Sequence, residues 1–155
     1  MEKLKEVKKP GKKGLAVLAA VVFVVVAGCT ALFFMDQQKN VEFTVLGESE
    51  IPREISGNVI PEYRSLERAL ACLVDDKVYV LVTRGEKPAS GYKVDIRKIK
   101  LESEGKKDKL IVYADFTDPG RDSSMSQVLN YPIKVAETDL ERLPDDIELR
   151  IQYVE

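Results

Sequence analysis

Over most of the second half of the chain, apolar and polar residues alternate with a period of two. That is the pattern of strands with one buried face. Val41, Phe43 and Val45 alternate with Glu42 and Thr44, so 41–46 is expected to be a half-buried strand. Val78 to Thr83 (VYVLVT) is apolar on both faces and is expected to be an interior strand. Tyr92, Val94 and Ile96 alternate with Lys93, Asp95 and Arg97, and then Ile99 and Leu101 take up the opposite phase. One extra residue at Arg97-Lys98 predicts a β-bulge there. Gly105, within SEGKKDK, marks a turn into a strand from Leu110 to Phe116. Leu129, Tyr131, Ile133 and Val135 alternate with Asn130, Pro132 and Lys134. Pro132 offers no donor, so that strand is expected at an edge or with this nitrogen facing outward. Ile147, Leu149, Ile151 and Tyr153 predict the last strand.

Two stretches break the pattern. Gly47 to Asn58 carries Pro52 and Gly57 and reads as turns. From Pro61, the spacing of Tyr63, Leu66, Leu70 and Leu73 fits one face of a helix. Ala69 to Val74 fits equally well a strand that turns at Asp75-Asp76-Lys77, and periodicity leaves both readings open. Six or so antiparallel strands with one apolar face each must close against one another. The expected class is mainly β (α+β): a small antiparallel β-sandwich or partly open barrel with one short helix.

Before all this lies Leu15 to Met35, 21 positions without a charge. As a helix it would cover roughly 30 Å, the thickness of a bilayer's hydrocarbon core. It divides the chain into a basic tail (1–14), a membrane segment (15–35), a polar tether (36–40) and an acidic domain (41–155). The tail holds six lysines against two glutamates, which leaves 18 basic and 24 acidic residues beyond it. A basic flank on one side only places the tail in the cytoplasm and the domain outside. A transmembrane anchor is one reading of the apolar segment. A lipoprotein signal is another, since Val26-Ala27-Gly28 precede Cys29, which would then carry the lipid. Simple secretion is a third. The only other cysteine, Cys72, stands among apolar neighbours and is expected to be a small buried side chain.

Catalytic chemistry is sparse. Without any histidine, Ser-His-Asp and Cys-His catalysis are excluded, as are the usual Cys/His metal sites. Ser90-Gly91-Tyr92-Lys93 matches S-x-x-K, but in a strand pattern and without companion motifs. Asp115, Asp118 and Asp122 around Pro119-Gly120 lack the spacing of a calcium loop. No glycine-rich phosphate loop is present, and the acidic balance disfavours nucleic acid. The reading is a non-enzyme with no cofactor, no metal and no indicated small-molecule substrate.

The most specific stretch is GEKPASGY, Gly85 to Tyr92, between two strands. Pro88 stiffens it and Gly91 permits a backbone conformation other residues avoid. As pure structure, it is a long hairpin turn with Tyr92 anchored in the core. Residues 78–135 resemble the PrcB C-terminal domain family. The resemblance is carried by VYVLVTRGEKPASGYKVDI, then LIVYADF, the loop with Pro119, and SQVLNYPIKV. The G-x-K-P-x-x-G-Y signature and the later Y-P before an apolar strand are its most specific parts. Ala89-Ser90 stands where the family often has Thr-Gly, and Ile133 where an aromatic is common. The resemblance implies a bacterial, extracytoplasmic, non-catalytic accessory domain, since the founding member is a lipoprotein subunit of a surface protease complex. A protein partner, with a protease as one candidate, is the expectation.

A binding surface is therefore expected on loops held by the strands. The first loop offers Glu86, Lys87, Pro88, Ser90, Gly91 and Tyr92, and a second loop offers Asp118, Pro119, Arg121 and Met125. The alternatives are an envelope structural or sensor protein, or a chagasin-like protease inhibitor. Lys87 to Tyr92 shares the proline, glycine and tyrosine spacing of one chagasin loop, but the other two inhibitory loops have no counterpart and the chain has no tryptophan.

Overall fold

The run Val78 to Thr83 lies inside a sheet and is covered on both faces. In the computed structural model, which describes residues 38–120 and 126–154, the elements in order are β1 (Gln38–Val41), β2 (Phe43–Val45), a 3-10 turn (Glu48–Glu50), a π-helical segment (Ile55–Val59), α1 (Ile60–Tyr63), β3 (Glu67–Val74), β4 (Lys77–Arg84), β5 (Lys93–Glu104), β6 (Lys107–Thr117), β7 (Ile133–Thr138) and β8 (Asp146–Val154). The expectations for the tail, the 15–35 segment, Cys29, Arg121 and Met125 lie outside the described residues. Among the described residues, no helix is long and apolar enough to cross a membrane.

The strands form two four-stranded sheets, β1-β5-β6-β8 and β2-β7-β4-β3. Val80, Val82 and Ala136 of one meet Ile96, Ile99, Leu110, Val112, Ala114 and Phe116 of the other in the main core. Each fully buried large apolar side chain here contributes about 1.5–3 kcal/mol. The other face of β4 carries Tyr79 and Leu81, which pack with Val135 against Ile55, flanked by Leu46, Ile51, Val59 and Ile60. The turn-rich stretch thus becomes a helical cover, which is why β4 is apolar on both sides.

Several expectations are met. Residues 69–74, which periodicity left open between helix and strand, are strand, paired with β4 along their whole length. Asp75 and Asp76 both have positive φ (49° and 60°), the geometry of a tight two-residue hairpin turn. The register of β5 against β6 slips between Ile96 and Lys98, so the bulge falls where the phase change put it.

Others are corrected. The sheets are not wholly antiparallel, because β8 runs parallel to β6 from Lys109↔Asp146 to Thr117↔Val154. The helix does not begin at Pro61 and run on through Leu73. It precedes that point, with the Pro52 carbonyl accepting from Ile55 and Ser56 N–H, and it closes when Arg64 N–H bonds Ile60 O. Leu66 and Leu73 are exposed as a result. Gln38 to Asn40 are not a tether but three residues of β1, paired with Lys100 to Glu102. β1 and β2 are separate strands, because the chain changes sheets at Glu42. The strand expected from Leu129 begins only at Ile133 and lies in the sheet interior between β2 and β4. Pro132 precedes it, so its missing donor falls outside the strand, and its carbonyl accepts from Arg84 N–H at 3.0 Å.

Candidate functional site

The loop from Gly85 to Tyr92 joins the end of β4 to the start of β5. At the same end of the sandwich lie the end of β6 and the start of β7, because each pairs antiparallel with one of those strands. Both sequence-predicted loops therefore share one end. Gly91 has φ +94°, a conformation that L side chains rarely adopt. A Cβ built on it would lie 2.9 Å from Pro119 Cβ. Ser90 N–H donates to Ser126 O at 3.0 Å, and Ser126 N–H donates to Ser90 Oγ at 3.0 Å. Lys87 and Asn130 exchange backbone hydrogen bonds of 2.8 and 2.9 Å. The Tyr131 hydroxyl donates to Glu86 Oε2 at 2.7 Å, and this bond raises the Tyr131 pKa above its ordinary value. Arg64 stacks over the Tyr131 ring, 4.6 Å from its centroid.

The predicted site residues differ in their accessibility. Glu86 and Pro88 are exposed, Lys87 and Ser90 are half-buried, and Ala89 is buried. Asp118 is exposed and Pro119 is half-buried against Gly91. Tyr92 is not a core anchor, as the hairpin reading had it. It is half-buried and lines a cleft, where its hydroxyphenyl ring lies under a guanidinium.

That guanidinium belongs to Arg84, which the sequence reading missed. Arg84 follows Val80 and Val82 at a core-facing position of β4 and is 2% exposed. Its Nη1 donates to Lys93 O (3.1 Å) and Thr117 O (2.6 Å), and Nη2 pairs with Asp118. The charge sits 5.1 Å from the ring centre of Tyr92, 4.9 Å from Phe116 and 5.9 Å from Tyr153. It ties the ends of β4, β5 and β6 together beneath the loop. The signal available in the sequence was parity, an arginine two residues after two inward valines.

Beside the loop opens a cleft of about 530 Å³. Ile51, Ile60, Tyr92, Tyr131, Pro132 and Ile133 give it apolar walls, with Glu48, Lys93, Asp95 and Lys134 among its polar lining residues. Lys134 Nζ reaches Asp95 Oδ1 across it at 3.6 Å. At the other end of the sheet, a hollow of about 580 Å³ is lined by Glu102, Glu104, Lys107, Asp108, Lys109, Asp145 and Asp146. Within it Asp108 is held by Arg142 and the Ser103 hydroxyl, Lys109 by Glu148, and Asp145 by the Asp108 backbone N–H. Among the described residues, no group of three or more His, Cys, Asp or Glu side chains is gathered to hold a metal ion.

Comparison with known proteins places residues 78–139 in the family described as PrcB C-terminal. The match begins in β4, takes in both clasped loops and ends just after β7. No curated protein and no solved structure matches the chain.

Proposed function

We propose, on the premise that residues 78–139 belong to the PrcB C-terminal family, that this chain is a membrane-anchored, non-catalytic protein-binding module serving an extracytoplasmic protease complex. The observation that carries the reading is that the family's two signature stretches, GEKPASGY and NYP, are hydrogen-bonded to each other at one end of the sandwich. That end presents a stiff loop beside an apolar cleft, as a recognition surface requires. Near it stand Val128 and Leu129, 61% and 59% exposed. The Leu15–Met35 segment is the anchor and the six-lysine tail stays in the cytoplasm.

A photocrosslinking residue at position 87 or 129 of the membrane-bound chain tests the reading. The expected result is a discrete crosslinked band containing a protease or another protein of the same complex. Bare self-crosslinking, or none, would overturn it. Intact mass of the extracted chain tests the anchor, because loss of residues 1–28 with added acyl chains would replace the span by lipidated Cys29. Protease added to spheroplasts should digest the domain, and digestion only after lysis would reverse the topology.

A further inference from the structure

One side of β5 is only partly used. β6 runs along it from Lys93 to Glu104, whereas β1 covers its other side only from Ile99 to Glu102. The outer edge from Lys93 to Lys98 has no strand partner among the described residues. The gap arises because the chain leaves this sheet at Glu42 and enters the other as β2. There β2 pairs only with Ala136 to Thr138, and Leu46 N–H adds one bond to Val135 O. The start of β7 is thus uncovered as well, and both open stretches line the cleft: Lys93, Val94 and Asp95 from β5, Ile133 and Lys134 from β7.

An uncovered strand edge is a row of backbone donors and acceptors in search of another strand. Lys93 to Lys98 spans about 17 Å, the length of an ordinary strand, with the bulge between Ile96 and Lys98 at its far end. A strand added there would turn alternate side chains toward Ile51, Ile60 and Ile133 and the others toward the exposed side chains of β5. Of those, Asp95 is taken by Lys134 and Arg97 by Asp115. Lys93 and Lys98 make no ion pair among the described residues. Self-pairing is disfavoured by charge: an antiparallel match of two β5 edges centred on Asp95, which keeps Val94 and Ile96 on one face, sets Asp95 opposite Asp95 and Lys93 opposite Arg97 twice.

We propose that the domain captures an extended acidic peptide segment of its protein partner, taken up as an extra strand on the Lys93–Lys98 edge of β5. Apolar side chains of that segment fill the cleft and its carboxylates meet Lys93 and Lys98. This rests on the reading of the domain as a protein-binding module and specifies its mode.

The full chain in detergent is titrated into fluorescein-labelled peptides of about nine residues that alternate valine with glutamate. Counterparts carry lysine for glutamate, or backbone N-methyl groups on the odd or the even residues. The expected result is binding of the glutamate peptide more than about tenfold tighter than the lysine peptide. Methylation should weaken it by a similar factor in one register and be tolerated in the other, since a strand edge uses alternate N–H groups. Hydrogen exchange should slow at 93–98, and Lys93→Glu with Lys98→Glu should reverse the charge preference. No binding, equal binding of both methylated peptides, protection elsewhere, or concentration-dependent pairing of the chain through this edge would each overturn the proposal. If the doubly charge-reversed chain still crosslinks its partner through position 87 or 129, the binding module stands and the added-strand mode falls. If the unaltered chain crosslinks nothing, the module reading itself falls.

Discussion

Gly91 and Pro119 touch backbone to ring: a Cβ added to Gly91 would stand 2.9 Å from Pro119 Cβ. The contact joins the β4–β5 loop to the loop after β6, and it requires both the missing side chain and the positive φ of Gly91. Gly91→Ala should therefore cost about 1–3 kcal/mol, read as a lower urea midpoint with unchanged slope. Gly57→Ala is the control, because a Cβ there meets nothing within 4 Å. It lies in the helical cover and should gain about 0.5–1 kcal/mol.

Arg84 is expected to matter more than any loop side chain. Its fork binds two carbonyls and Asp118 while its plane lies among three rings. Lysine keeps the charge but cannot make the fork. Arg84→Lys should lose about 2 kcal/mol and Arg84→Ala about 3 kcal/mol or more, through lost hydrogen bonds and lost packing. Thermal melts followed by near-ultraviolet circular dichroism would check this, because Tyr92 and Tyr153 report on the same spot. An Arg84→Ala melt equal to wild type would contradict the assigned role.

The loop side chains separate into fastened and free. Ser90→Ala removes an acceptor from Ser126 N–H and should cost about 1 kcal/mol. Glu86→Ala and Tyr131→Phe should each cost about 0.5–1.5 kcal/mol. Together they should cost less than their sum, because they share one hydrogen bond. Lys87→Ala should stay within about 0.5 kcal/mol, since its pairing to Asn130 is through the backbone. Urea midpoints of the four single variants and of the Glu86→Ala/Tyr131→Phe double variant check these values.

Cys72 is half-buried against Tyr79, and burial raises its thiol pKa. The thiolate is the reactive form, so alkylation at neutral pH should be slower than that of a free thiol. Unfolding in urea should abolish the difference. Peptide mass mapping distinguishes Cys72 from Cys29. Fast labelling of the folded chain would show that β3 opens readily.

Acid should weaken the β1-β5-β6-β8 sheet first. Hydrogen bonds from Lys109 and then Arg150 lower the Glu148 pKa to about 2. The Ser103 hydroxyl, ahead of Arg142, lowers that of Asp108. A carboxylate depressed in the folded state stabilises fully above its unfolded pKa, and that stability is lost as pH falls through the folded value. The expected outcome is a melting temperature that declines from about pH 5 to pH 2, with a shallower decline in Glu148→Gln. Equal slopes would assign the acid limb to other groups.

The strands were legible because alternation is local. The position of the chain in VYVLVT or LIVYADF follows from which neighbours are apolar, and the Arg97-Lys98 bulge follows from a change of phase that is itself in the sequence. The two candidate loops were legible for the same reason, since proline and glycine act on their own backbone. What alternation cannot encode is the partner across the hydrogen bonds. Ile147 to Tyr153 present the same apolar face whether they run with or against β6, and only the path of the folded chain made them parallel. Ala69 to Val74 fits helix and strand alike, and the full-length ladder to β4 decided for strand from Glu67 onward. Tertiary structure alone buried Arg84, because a charge becomes tolerable inside only when two carbonyls, a carboxylate and three rings from distant segments converge on it. It also brought Ser90 to Ser126 and Gly91 to Pro119, and it left the first half of β5 without a second neighbour. Each of these depends on contacts between residues far apart in sequence, and a pattern of nearest neighbours carries no term for them.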